Sequence, residues 1–143
     1  MVNVLDVDAQ KFVEELTKEL QKSEKLKPEE WSFLVKSGMH KENPPIQKDF
    51  WYRRAASMLR NIYIHGPKGV QKLKVKYGGK KKRGTRAEKR FNSGGKIIRT
   101  IFKQLEGEGL VSKVLKEGKK GRQLTPKAVK MMDNLAYRIH KGA

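Results

Sequence analysis

Cysteine is absent from the 143 residues, which excludes disulfides, thiolate zinc sites and thiol catalysis. Histidine is scarce: His40, His65 and His140 are scattered without metal-binding spacing, and each is expected as a surface or loop residue. No phosphate-binding Gly-rich loop with its Lys-Ser/Thr end is present, and no Gly-x-Ser-x-Gly elbow. The few acids of the C-terminal two thirds form no close pair. No enzyme, no cofactor, no metal and no small-molecule substrate are expected. No apolar run approaches the roughly 20 residues of a spanning helix, and no signal peptide opens the chain. These absences predict a soluble intracellular protein.

What the chain has in excess is positive charge, a net +19 from thirty-four Lys and Arg against fifteen acids. It is unevenly spread. Residues 1–47 carry seven lysines and nine acids, while the remaining twenty-seven Lys and Arg meet only six acids. From Lys68 to Arg90 there are eleven basic residues and one acid, Glu88. Such density repels itself unless a polyanion lies against it, and a phosphate backbone is the natural partner. The stretch lacks a lipid-facing apolar stripe, so no membrane partner is expected. With little of its own to bury, Lys68–Arg90 is expected to be mobile until it meets RNA.

The length suits one domain with one core. Asp8 is placed to cap a first helix carrying Phe12, Leu16 and Leu20 on one face. Pro28 fits the first position of a short second helix that turns Trp31, Leu34 and Val35 inward. Residues 38–45 read as a loop. Asp49 then caps a strong helix ending near Gly66, with Trp51, Ala55, Leu59 and Ile62 in one apolar stripe that Tyr52, Ala56 and Tyr63 widen. A stripe that wide belongs to a central helix covered from more than one side. Arg53, Arg54 and Arg60 are expected to stand without acid partners along this helix, which favours binding over a solvated surface. Tyr52, Tyr63 and Tyr77, at helical spacing, are expected to pack rather than to stack on bases.

Past Gly66-Pro67, residues 70–77 fit a helix through Val70, Leu73 and Tyr77 and equally a strand through alternation at 73–77. A basic loop follows at about 79–92. Ser93 opens a helix with Ile97, Ile98, Ile101, Phe102 and Leu105 inward and Lys96, Arg99 and Lys103 outward. A strand from Gly109, a Lys/Gly turn at 117–121, a returning strand at 122–124 and a helix started by Thr125-Pro126 complete the chain. That last helix packs Ala128, Met132, Leu135 and Ile139. Helix, hairpin, helix with a basic hairpin tip is the pattern of a winged helix-turn-helix.

The segments HKENPP (40–45), WYRRAAS (51–57), IYIHGPKGV (62–70), KYGG (76–79), LEGEGLV (105–111) and GRQLTPKA (121–128) resemble, in order and spacing, the ribosomal protein S19e family of archaea and eukaryotes. The resemblance covers nearly the whole chain. It implies a mainly α, single winged-helix-like domain over residues 1–143 with a short β-hairpin wing. It further implies a structural constituent of the small ribosomal subunit head, bound to rRNA beside neighbouring head proteins and supporting subunit maturation. The place is the cytoplasmic ribosome, reached through the nucleus and nucleolus if the chain is eukaryotic. Arg54, Arg60 and Arg99 match functional positions of the family. The RNA-binding set expected from charge and resemblance together is Arg53, Arg54, Arg60, Lys68, Lys72, Lys76, Lys80, Lys81, Lys82, Arg83, Arg86, Lys89, Arg90, Lys96 and Arg99. The alternative is a winged-helix DNA-binding regulator, which would read bases through one recognition helix.

Overall fold

In the computed structural model, which describes residues 1–114, 116, 118 and 120–142, the chain begins with a 3₁₀ turn at Val4–Asp6 and helix α1, Ala9–Gln21. Asp8 caps α1, its carboxylate accepting from the backbone N–H groups of Gln10 and Lys11 at 3.0 Å. The hydrogen bond from Lys11 is the main cause of a lowered Asp8 pKa. Phe12, Leu16 and Leu20 are buried, as their spacing predicts.

The second helix expected from Pro28 is only a 3₁₀ turn, Glu30–Phe33. Trp31 is half-buried, edge-on to Trp51 at 5.9 Å between ring centroids. Leu34 and Val35 point outward, Leu34 with 81% of its surface exposed. One turn without a side-chain cap has too few backbone bonds to propagate, so the two residues after it follow the chain into solvent.

Helix α2, Phe50–His65, is the centre of the molecule. Trp51, Ala55, Ala56, Met58, Leu59 and Ile62 are all buried. Helix α1 packs on one side of it and the wing on the other. Three side-chain bonds tie it outward. Trp51 Nε1 donates to Gln104 at 2.7 Å, the Ser57 and Tyr77 hydroxyls meet at 2.8 Å, and Tyr63 donates to Asp133 at 2.6 Å. The tyrosines pack, as expected.

Residues Val70–Lys76 form α3, which settles the helix-or-strand ambiguity. Leu73 is fully buried, so a single residue anchors a helix whose remaining face is basic. The expected loop after it is a β-hairpin, β1 (Gly79–Arg83) against β2 (Arg86–Phe91). Alternation could not reveal it because neither face is apolar. The hairpin is set instead at its ends. Gly84 turns at φ 70°, and Gly79 pairs with a half-buried Phe91. Ser93 ends the excursion by donating both its N–H (3.0 Å) and its hydroxyl (3.2 Å) to the carbonyl of Lys74, while Gly94 takes the cap position of the next helix.

Helix α4, Gly95–Gly107, buries Ile97, Ile98, Ile101, Phe102 and Leu105. Strands β3 (Val111–Lys113) and β4 (Arg122–Leu124) form the wing. The wing turn expected at 117–121 lies partly outside the described residues. Lys68 pairs with the wing through a single isolated bridge. Its N–H donates to Arg122 at 3.1 Å, and the Arg122 N–H returns to Lys68 at 2.9 Å. Gly121 is required there: φ is 126°, and a Cβ would lie 2.6 Å from the Lys68 carbonyl carbon. Helix α5, Pro126–Gly142, starts at Thr125 and buries Ala128, Met132, Leu135 and Ala136, with Ile139 only partly covered. The order α2, Lys68, α3, α4, β3–β4 is a winged helix-turn-helix with the basic hairpin inserted where the turn belongs.

Leu59→Ala removes a fully buried side chain from α2 and is expected to cost about 2–5 kcal/mol; a chemical-denaturation curve checks it. Burial, reinforced by Asp133, raises the Tyr63 pKa to about 12 from 10.0. The folded state then holds this proton more tightly, so the contribution is whole below pH 10 and is lost as pH climbs towards 12. Between those limits the wild type should lose more stability than Tyr63→Phe. Equal losses would show that the hydroxyl does not couple to folding.

Candidate nucleic-acid interface

The basic side chains from Lys68 to Lys103 fall into three groups. The first lies between α2 and α3. Lys68, Lys72 and Lys76 recur every fourth residue, and with Asn61 and His65 they line a recess of about 210 Å³. The helix repeat brings them to one side.

The second group is the hairpin. Beyond its Gly79–Phe91 base, each cross-strand partnership sets cation against cation: Lys80 with Arg90, Lys81 with Lys89, Arg83 with Arg86. Like charges directly opposite are destabilising. Partial relief comes from aromatic and carbonyl contacts. The Lys81 and Lys89 ammonium groups each lie 5.8 Å from the Phe91 ring, Arg83 donates to the Ala87 carbonyl at 2.9 and 2.8 Å, and Arg90 donates to the carbonyl of Val75. The loop 39–43 runs beside β1 across a cleft of about 450 Å³ that Lys80, Lys81 and Lys82 line. His40 is not the plain loop residue expected. Its ring packs on Gly79, where a Cβ would come within 3.0 Å, and Nδ1 is buried without a partner. Burial first, then Lys41, Arg54 and Arg90, lowers its pKa, so it adds no charge to the hairpin base at neutral pH.

The third group is the outer face of α4. Lys96 lies with its ammonium 4.4 Å from the Trp31 ring. The Arg99 guanidinium folds back over Gly95, where a Cβ would meet its Nη1 at 2.6 Å and the Lys74 Cδ at 3.3 Å. Arg99 and Lys74 therefore converge across the α3–α4 junction. Lys74, like His65, was not among the residues singled out from the sequence. The i, i+4 step from Asn61 was the available signal for His65, whereas no spacing marked Lys74.

The three α2 arginines do not act as one face. Arg53 donates to Asp49, four residues earlier, at 2.7 Å, against the expectation that no acid partner stands along the helix. That carboxylate serves the arginine side chain and not the helix N-terminus. Arg60 lies on the α1 side as well, close enough to help hold Asp8 ionised, and its Nε is buried without a partner. Arg54, one residue and about 100° round from Arg53, is tucked inward. Its guanidinium carbon lies 4.0 Å from the Tyr77 ring centroid and 5.1 Å from that of Phe50. Burial lowers the Arg54 pKa, yet an arginine stays charged. Arg54 has no acid partner, as expected, but it also packs: it cements α2 to the end of α3 while its charge adds to the hairpin base.

Among the described residues, no ion pair involves any basic residue from Lys68 to Lys103. The wing differs, since Arg122 pairs with Glu106 at 3.0 Å. An unpaired basic surface built on a winged helix can be compared with proteins already known. The family described as ribosomal protein S19e matches residues 3–142. The chain belongs to the ribosomal protein S19e family. A relative from Thermoplasma volcanium, named small ribosomal subunit protein eS19, is 38% identical over 141 residues, covering 99% of this chain and 91% of its own length. The protein of that name from Aeropyrum pernix is also 38% identical, with 97% and 90% coverage. One from Mya arenaria is 36% identical, with 96% and 91% coverage. S19e proteins are structural ribosomal proteins and not enzymes.

Arg54→Ala should cost about 1–2 kcal/mol of stability through the lost ring contacts and buried stem. Lys72→Ala and Arg86→Ala, at exposed positions, should melt near wild type. Thermal melts of the three variants decide it: an Arg54→Ala melt at the wild-type temperature would return that arginine to the binding surface alone.

Proposed function

We propose that the chain is a structural constituent of the small ribosomal subunit, seated in its head as one domain, which grips folded rRNA and supports subunit assembly. The single observation that carries this reading is the hairpin, where opposed cations form a surface that only a polyanion completes. Lysines of α3 and the outer face of α4 extend that surface from the hairpin base in two directions. Several strands of phosphate suit it better than one groove does. Folded RNA presents such strands, and it is recognised by shape, phosphates and 2′-hydroxyls rather than by a base code. The names of the relatives agree with this reading.

A DNA-reading regulator shares the winged-helix frame. A recognition helix meets base edges with its N-terminal residues, and here that end is Gly94-Gly95. Two glycines carry no side chain with which to read a base. The hairpin also occupies the place of the tight turn.

In a density gradient of cell extract the protein should travel with the small subunit and stay there in moderate salt. For the isolated protein, log affinity for RNA should fall with log salt by roughly 0.7 to 0.9 per phosphate contact, giving a slope of about 4 or more if six contacts form. Absence from the small-subunit fraction, or a slope near one with preference for a short DNA palindrome, would overturn the proposal.

A further inference from the structure

The recess between the end of α2 and α3 holds one side chain that charge attraction alone does not explain. Asn61 is 5% exposed, lines the recess, and its Oδ1 is buried with no hydrogen-bond partner. A buried acceptor left unmade is destabilising, and native structures retain few of them. Lys68, Lys72 and Lys76 line the same recess, yet none donates to it in this structure. Lys68, Lys72 and Lys76 offer only donors, so they fit the oxygens of a phosphodiester. A phosphodiester carries no proton to give, and it cannot answer Asn61 Oδ1. What would answer it is a donor carried next to a phosphate, and a ribose 2′-hydroxyl is such a group.

We infer that this recess is a ribose-phosphate subsite in which Asn61 accepts the 2′-hydroxyl proton of a ribonucleotide while the three lysines hold the adjoining phosphate. The inference rests on the rRNA-binding reading and adds to it the residue that tells RNA from DNA. The recess, about 210 Å³, is smaller than pockets for drug-sized ligands, which run about 300–1,000 Å³. It suits one sugar-phosphate unit and not a whole base pair. The 2′-hydroxyl is the group by which a protein distinguishes the two nucleic acids at a given position. His65 lines the same recess and supplies a further ring edge beside the phosphate.

The test uses the full chain and three short hairpins of one sequence: RNA, DNA, and 2′-O-methyl RNA, which keeps the RNA helix form but has no 2′ proton. The wild type should bind the RNA hairpin about tenfold more tightly than either analogue, the weight of one well-made hydrogen bond. Asn61→Leu should hold all three alike, at the level of the analogues. Lys72→Ala should weaken all three by a common factor and keep the tenfold preference. Should Asn61→Leu fail to fold, the wild-type Asn61 side-chain amide is followed by NMR during titration with uridine 5′-monophosphate and its 2′-deoxy counterpart, and only the ribonucleotide should move it. A preference that survives in Asn61→Leu, equal binding of the three hairpins by the wild type, or equal amide shifts would overturn the subsite and leave the ribosomal reading standing. Loss of salt-sensitive binding to every hairpin would bring down both.

Discussion

The burial of α2 on more than one side is the constraint on which the remaining structure depends. Seven buried residues, Trp51, Ala55, Ala56, Met58, Leu59, Asn61 and Ile62, use most of the helix circumference. What is left over for solvent is a narrow strip, and the arginines are forced to its edges. Arg53 and Arg60 fall towards α1 with its acids, while Arg54 falls towards α3 and is covered there by Tyr77 and Phe50. A helix with a narrower apolar face would have presented all three together.

The same core lets the chain carry a surface that works against its own folding. Apolar burial supplies the main favourable term and is indifferent to charge, so Leu73, Phe91 and the α4 isoleucines can hold basic segments in place. Each basic element is attached by a few contacts at its base. Ser93 ties the end of α3 to the start of α4, and Lys68 bonds to the wing through Arg122. The hairpin strands themselves gain nothing from their opposed cations. Stability is concentrated where the elements join and is thinnest where the polyanion would lie.

Much of the fold was legible in the residues because periodic burial writes itself into the pattern. Phe12, Leu16 and Leu20, the α2 stripe, the α4 face and the start of α5 at Thr125-Pro126 all lie where spacing and capping place them. The two misread segments share one cause. At 30–35 and 79–91 the structure is set by a neighbour, Trp51 for Trp31 and the Gly79–Phe91 closure for the hairpin, with no apolar period to betray it. The acid beside Arg53 was there to be seen four residues back, at Asp49.

Charge content, the absence of cysteine and hence of thiol chemistry, the winged-helix order and the S19e family were determined by the sequence alone, since they rest on composition, period and motif. Which basic residues share a surface was decided only by the tertiary structure. Lys74 meets Arg99 because α3 packs on α4, His40 lies under the hairpin because Gly79 admits it, and Asn61 faces Lys68, Lys72 and Lys76 across a recess that two helices make. Charge is a property of single residues, whereas a site is a distance between them, and those distances follow from packing.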